Sequence, residues 1–145
     1  MPELNNQNFN HLKIHTQYSI CEGAIKIDNL KDFCKEKKIP CLGISDTSNL
    51  CGALEFAENI SKVGTQPIIG TQIYFRFEDT TGLLPLIALN ENGYKRIIEL
   101  SSRSYLENDA LSDPHLDIKE LLIDTEGVSL LSGTIQGLFG KLFEK

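Results

Sequence analysis

No apolar stretch in this sequence is long enough to cross a membrane as a helix. Leu83–Leu89 is among the longest and carries Pro85 within it, far short of the roughly 18 residues a span needs. The first residues, Met-Pro-Glu-Leu-Asn-Asn-Gln-Asn, offer neither a basic leader nor an apolar export segment, so the chain is expected to be cytoplasmic. Its four cysteines, Cys21, Cys34, Cys41 and Cys51, make no CxxC pair. In a reducing compartment they read as free, mostly buried thiols, with no disulfide and no structural zinc. Basic residues are in deficit: 14 Lys and Arg against 20 Asp and Glu give a net charge of −6. That balance opposes unaided binding to a polyanion such as DNA. No internal repeat is visible, and no segment is apolar-poor enough to look disordered.

What is there suits one globular domain: 145 residues, 41% of them hydrophobic, enough for a core. Phe9–His15 alternates as a strand does, with Leu12 and Ile14 on one face and His11 and His15 sharing the other. Asp28 is placed to cap a helix over residues 29–38, whose inner positions are Leu30, Phe33, Cys34 and Lys37. Cys41–Ser45 reads as a strand buried on both faces. Asp46–Asn49 supplies loop and cap chemistry for a helix with Leu50, Ala53, Leu54, Ala57 and Ile60 inside. Pro67–Phe77 and Leu83–Leu89 predict two more strands with a turn at Glu78–Gly82. Asn90 predicts the cap of a helix through about Leu106, followed by a polar loop over Glu107–His115. A helical turn at Ile118–Leu122, a strand at Val128–Leu131 and a weak helix carrying Leu138, Leu142 and Phe143 complete the chain. Strands and helices alternate, so the class is α/β with mainly parallel strands.

In such folds chemistry gathers at the C-terminal ends of strands, and the residues there are distinctive. They are Phe9, His11-Leu12, His15-Thr16, Tyr18-Ser19, Glu22-Gly23 and Lys26, then Gly43-Ile44-Ser45-Asp46 with Asn49-Leu50 and Gly52. Pro67–Gly70, Leu89-Asn90 with Gly93-Tyr94, and Leu131-Ser132-Gly133 follow. This ordered series resembles the polymerase-and-histidinol-phosphatase (PHP) domain, in the version that opens the alpha subunit of bacterial DNA polymerase III. The likeness covers nearly the whole chain. It implies part of a distorted barrel of seven βα units, with residues 1–145 forming the N-terminal portion of one domain that continues past Lys145.

Active members of the resembling family bind two or three divalent ions through imidazoles and carboxylates. Their pattern asks for His at Lys13, His at Thr47, Glu at Gln72 and His at Leu83; of the matched positions, only His15 and Glu22 keep ligand atoms. An ammonium at Lys13 and a neutral amide at Gln72 both oppose a cation electrostatically. The resemblance therefore implies a vestigial metal site and no metal bound by this segment. Without further ligands, His11 and His15 read as hydrogen-bonded structural groups, and Asp46 reads as a helix cap. Lys13 reads either as a phosphate-binding cation or as a counter-ion to Glu22 and Asp46. Cys21 lacks an activating base other than His15, which speaks against a nucleophilic role.

The implied role is a scaffold that stabilises the replicative polymerase and docks its proofreading exonuclease subunit among other replicase subunits. DNA would be met through the rest of the parent subunit, a nucleotidyltransferase for which Mg²⁺ is expected. An active metal-dependent phosphoesterase or 3′–5′ exonuclease is the contrasting reading, and a stand-alone binding module is a third. A barrel cut at Lys145 would expose a strand edge and the apolar face around Leu138, so the isolated chain is expected to self-associate.

Overall fold

The computed structural model describes residues 9–145. Ten elements follow in order: α1 (Ile27–Lys37), β1 (Cys41–Thr47), α2 (Ala53–Ser61), β2 (Gln66–Phe77), β3 (Thr80–Ala88), α3 (Glu91–Leu106), β4 (Leu116–Asp117), α4 (Ile118–Ile123), β5 (Val128–Leu130) and α5 (Leu138–Phe143). The five strands form one sheet in the order β1-β2-β3-β5, with β4 also paired to β2. The α/β class holds. Among these strands β1–β2 and β2–β4 pair in parallel, and Ile14 adds an isolated parallel bridge to Ile44 of β1, while β2–β3 and β3–β5 are antiparallel. The reason is local: only Glu78 and Asp79 separate β2 from β3, and so short a link can join only antiparallel neighbours.

Two apolar clusters hold the elements. One joins Ile73 and Phe75 of β2 and Leu84 and Leu86 of β3 to Ile97 and Leu100 of α3, with Leu116, Leu121 and Leu138. The other joins Leu42 and Ile44 of β1 to Ile27, Leu30 and Cys34 of α1 and Phe56 and Ile60 of α2. Because side chains alternate along a strand, Gln72 and Tyr74 of β2 point away from the face that carries Ile73 and Phe75. The antiparallel register sets Gln72 opposite Pro85 and Tyr74 opposite Leu83. The sheet thus has a filled face and, across β2 and β3, an open one.

Several local readings are corrected. Phe9–His15 is not a regular strand: Gly43 donates to His11 O and Ser45 to Ile14 O. Three steps on this segment face two on β1, a bulge that breaks the alternation expected to put His11 and His15 on one face. Lys26, not Asp28, holds the N-cap of α1, without a side-chain bond, and Asp28 sits in the first turn. Phe33 and Leu54 are exposed while Phe56 is buried, because helical spacing defines a stripe but not which of its edges meets the sheet. Among the cysteines, Cys34 is buried and its thiol pushed up by desolvation, but Cys21 and Cys51 are exposed. Leu116–Asp117, just after the expected loop, forms β4. At the C-terminal end Leu138 is buried, Leu142 packs on the core and Phe143 is exposed. That helix therefore does not present one continuous bare face.

Asn90 does cap α3, accepting from Gly93 N at 3.0 Å. Among the described residues no helix is long and apolar enough to cross a membrane.

Candidate functional site

The C-terminal end of β1 organises a loop and, beside it, a cavity. Asp46, 1% exposed, accepts from Thr16 N at 2.6 Å, Thr16 Oγ1 at 2.7 Å and Ser19 Oγ at 2.7 Å. Three donors repay the desolvation of a buried carboxylate. The expected cap role is overturned, since the residue before α2 is Gly52 and makes no side-chain cap bond. Asp46 instead pins residues 16–19 across the strand end. Asn49 Nδ2 adds bonds to Tyr18 O and Thr47 O. Gly23 closes the loop: a Cβ there would sit 2.1 Å from Thr16 O, a contact that no other residue type could make without shifting the backbone.

The pinned loop carries Glu22 to the cavity. Glu22 Oε2 accepts from Thr47 Oγ1 in a short hydrogen bond, and Thr47 Oγ1 accepts in turn from Gln72 Nε2 at 2.6 Å. The parallel register explains this chain, because it sets Thr47 directly opposite Gln72. His15 Nδ1 lies 4.0 Å from Glu22 Oε2, beyond hydrogen-bond reach. Two buried atoms here have no partner among the described residues: His15 Nδ1 and Gln72 Oε1.

The cavity measures about 630 Å³, and its lining includes Lys13, His15, Glu22, Gln72 and Leu83. Five of the six positions expected to mark the vestigial site therefore meet in one place, and Thr47, the sixth, bridges two of them. His11 is not among the lining residues; it is exposed and meets Phe9 edge-on at 4.7 Å. The expected ion pair of Lys13 with Glu22 or Asp46 is not formed: Lys13 shares the cavity with Glu22, but Asp46 is fully engaged elsewhere. Sequence reasoning missed Tyr74 and Lys141, which also line the cavity. Tyr74 was within reach by period two from Gln72. Lys141 was not, because its place depends on α5 folding back onto Gly82, where a Cβ would lie 2.5 Å from the Leu138 backbone. Lys141 Nζ donates to Thr81 O at 2.8 Å.

The sequence pattern of the PHP domain family matches residues 11–145. The chain belongs to the PHP domain family. Curated relatives matching this PHP chain include DNA polymerase III subunit alpha of Caulobacter vibrioides, 37% identical over 152 residues, which covers 99% of this chain and 13% of the relative. The protein of the same name from Rickettsia felis is 34% identical, covering 92% and 11%, and that from Helicobacter pylori 34%, covering 91% and 12%. The chain thus spans little more than a tenth of the length of these relatives. Two solved structures share the fold. One, from Bifidobacterium adolescentis and described as a metal-dependent phosphoesterase, has a TM-score of 0.53 at 17% identity over 68% of this chain and 34% of its own. The other, an amidohydrolase from Chromobacterium violaceum with bound sulfate and no metal, has a TM-score of 0.54 at 14% identity, over 67% and 33%.

The side chains present do not fit the divalent ions of an active PHP site. Among the described residues no group of three or more His, Cys, Asp and Glu is arranged to hold a metal. Lys13 adds positive charge to the cavity, Leu83 offers no donor atom, and Glu22 already accepts from Thr47. Asp46, the one buried carboxylate nearby, has both oxygens engaged.

Proposed function

We propose that this chain is the N-terminal PHP segment of a replicative DNA polymerase III alpha subunit, acting in the cytoplasm as a scaffold whose metal site has degenerated. The segment continues past Lys145 in this reading. Nucleotide addition, with its Mg²⁺ and its DNA, belongs to the rest of the parent subunit. The segment stabilises that subunit and docks the separate proofreading exonuclease within the replicase.

One observation carries the reading. The positions where a PHP phosphoesterase would gather its ligands are joined here by a hydrogen-bond chain, from Gln72 within β2 to Thr47 at the end of β1 to Glu22, beside a lysine and a leucine. Cross-linking by neutral donors and one carboxylate performs the structural part of a metal's work without its Lewis acidity.

Hydrolysis assays test the catalytic half. With Mn²⁺ added, cleavage of a phosphomonoester and of a 3′-labelled oligonucleotide is expected at background. Turnover that disappears in Glu22→Ala would instead establish an active phosphoesterase or 3′–5′ exonuclease. Co-elution with the purified exonuclease subunit tests the docking half, and independent elution of the two at micromolar concentration would refute it.

A further inference from the structure

A single asparagine in the sequence is followed by glycine: Asn92, with Gly93. Glycine has no side chain to shield its backbone nitrogen. That nitrogen therefore reaches the carboxamide of a preceding asparagine more readily than any other residue's does, and asparagine is thermolabile by this route. The pair falls in the first turn of α3, where the Asn92 side chain is exposed to water and Gly93 is buried.

Packing demands the glycine. A Cβ on Gly93 would lie 1.8 Å from Gly127 O, and one on Gly127 would lie 2.2 Å from Asn90 Oδ1. Gly127 O also accepts from Leu89 N at 2.8 Å. The turn before β5 is thus seated directly on the first turn of α3. The same seating withholds the reactive nitrogen. Gly93 N donates to Asn90 Oδ1 at 3.0 Å, and the helical ψ of Asn92 turns that nitrogen away from the carboxamide.

We infer that Asn92 is a hydrolytic modification site of this chain and that the Asn90 cap guards it. When the first turn of α3 opens, Gly93 N bonds to Asn92 Cγ. The Cγ–N bond of the carboxamide breaks, and ammonia leaves with the proton that Gly93 N gives up. Water then adds to the cyclic imide and opens it to aspartate or isoaspartate, with no oxidant or metal required. Isoaspartate routes the main chain through the side-chain carbon and lengthens it by one bond. Gly93 is then displaced from Gly127, and the seat of β5 beside β3 is loosened.

Peptide mapping of the purified chain, held in mildly alkaline buffer, tests this by following the amide-to-acid mass gain at Asn92. The folded chain is expected to convert at least about tenfold more slowly than the chain in guanidinium chloride, because reaction waits on local opening. Asn90→Ala removes the cap acceptor and is expected to speed conversion in the folded chain by about fivefold or more. Asn90→Asp keeps an acceptor and should stay near the original rate. Isoaspartate-containing chain should unfold at lower denaturant than Asn92→Asp, which adds the same charge without the extra bond. Amide exchange at Gly93 decides the matter even where Asn90→Ala fails to fold, since the guard requires that amide to be protected. Equal rates in folded and unfolded chain, an unprotected Gly93 amide, or no acceleration in a folded Asn90→Ala variant would overturn the inference.

Discussion

Asp46 and Glu22 stand at the same end of the sheet and differ in almost every physical respect. Asp46 is buried and saturated, with three donors on two oxygens. Glu22 has a side chain 38% exposed, accepts one hydroxyl, and borders a cavity beside which His15 Nδ1 and Gln72 Oε1 have no hydrogen-bond partner among the described residues. The first arrangement is complete as it stands and can only hold a loop in place. The second is unfinished by its own hydrogen-bond accounting, and such incompleteness marks where a fold has kept room for a ligand or an internal substitute. The contrast separates a residue that holds a loop of this PHP domain from one that borders an open cavity.

The sharpest way to break the comparison is to remove the saturated acid. Asp46→Ala orphans the donors of Thr16 and Ser19 in a buried site and is expected to cost about 3–5 kcal/mol in urea unfolding. A loss below 1 kcal/mol would show that the loop is not held there. On the other side, Thr47→Val cuts the link between Gln72 and Glu22 while keeping the shape of the side chain. It leaves the Gln72 amide without its acceptor, for an expected loss of about 1–2 kcal/mol. A larger effect than that of Asp46→Ala would reverse the assigned roles of the two carboxylates.

The smallest effect concerns the rim of the pinned loop. Tyr18 OH donates to Glu55 Oε2 at 2.6 Å, and this bond, first among its causes, raises the phenol above its ordinary value of 10.0. A group raised on folding stabilises the folded state in its protonated form. The contribution is therefore whole below pH 10 and is lost as pH climbs past the raised value. Absorbance titration should find one tyrosine ionising late. In Tyr18→Phe that late step should vanish and the alkaline loss of stability should shrink; an unchanged titration would contradict the assignment.

How far the sequence reveals this depends on how local each interaction is. Asn90 and its bond to Gly93 lie within one helical turn, so the cap of α3 is legible. So are β1 and β2, whose apolar runs are bounded by turn residues. Thr47 can be placed because it closes the first run, and Gln72 because it lies within the second. Asp46 looks like a helix cap to any local reading, since its actual partners lie 27 and 30 residues earlier. The bulge that separates His11 from His15 leaves no mark in the alternation of Phe9–His15, because it arises only when the segment is laid along β1. Lys141 reaches the cavity through a packing contact at Gly82, again invisible to periodicity. Elements follow from short-range patterns; the site depends on how distant segments are brought into register.

The central claim, that this strand-end cluster works without a metal, is tested most directly by metal analysis of the purified chain after exhaustive dialysis. The account predicts no stoichiometric zinc, manganese or iron, because His15 and Glu22 alone supply too few ligands to offset an ion's dehydration. One or more ions retained per chain, and released by His15→Ala, would contradict it.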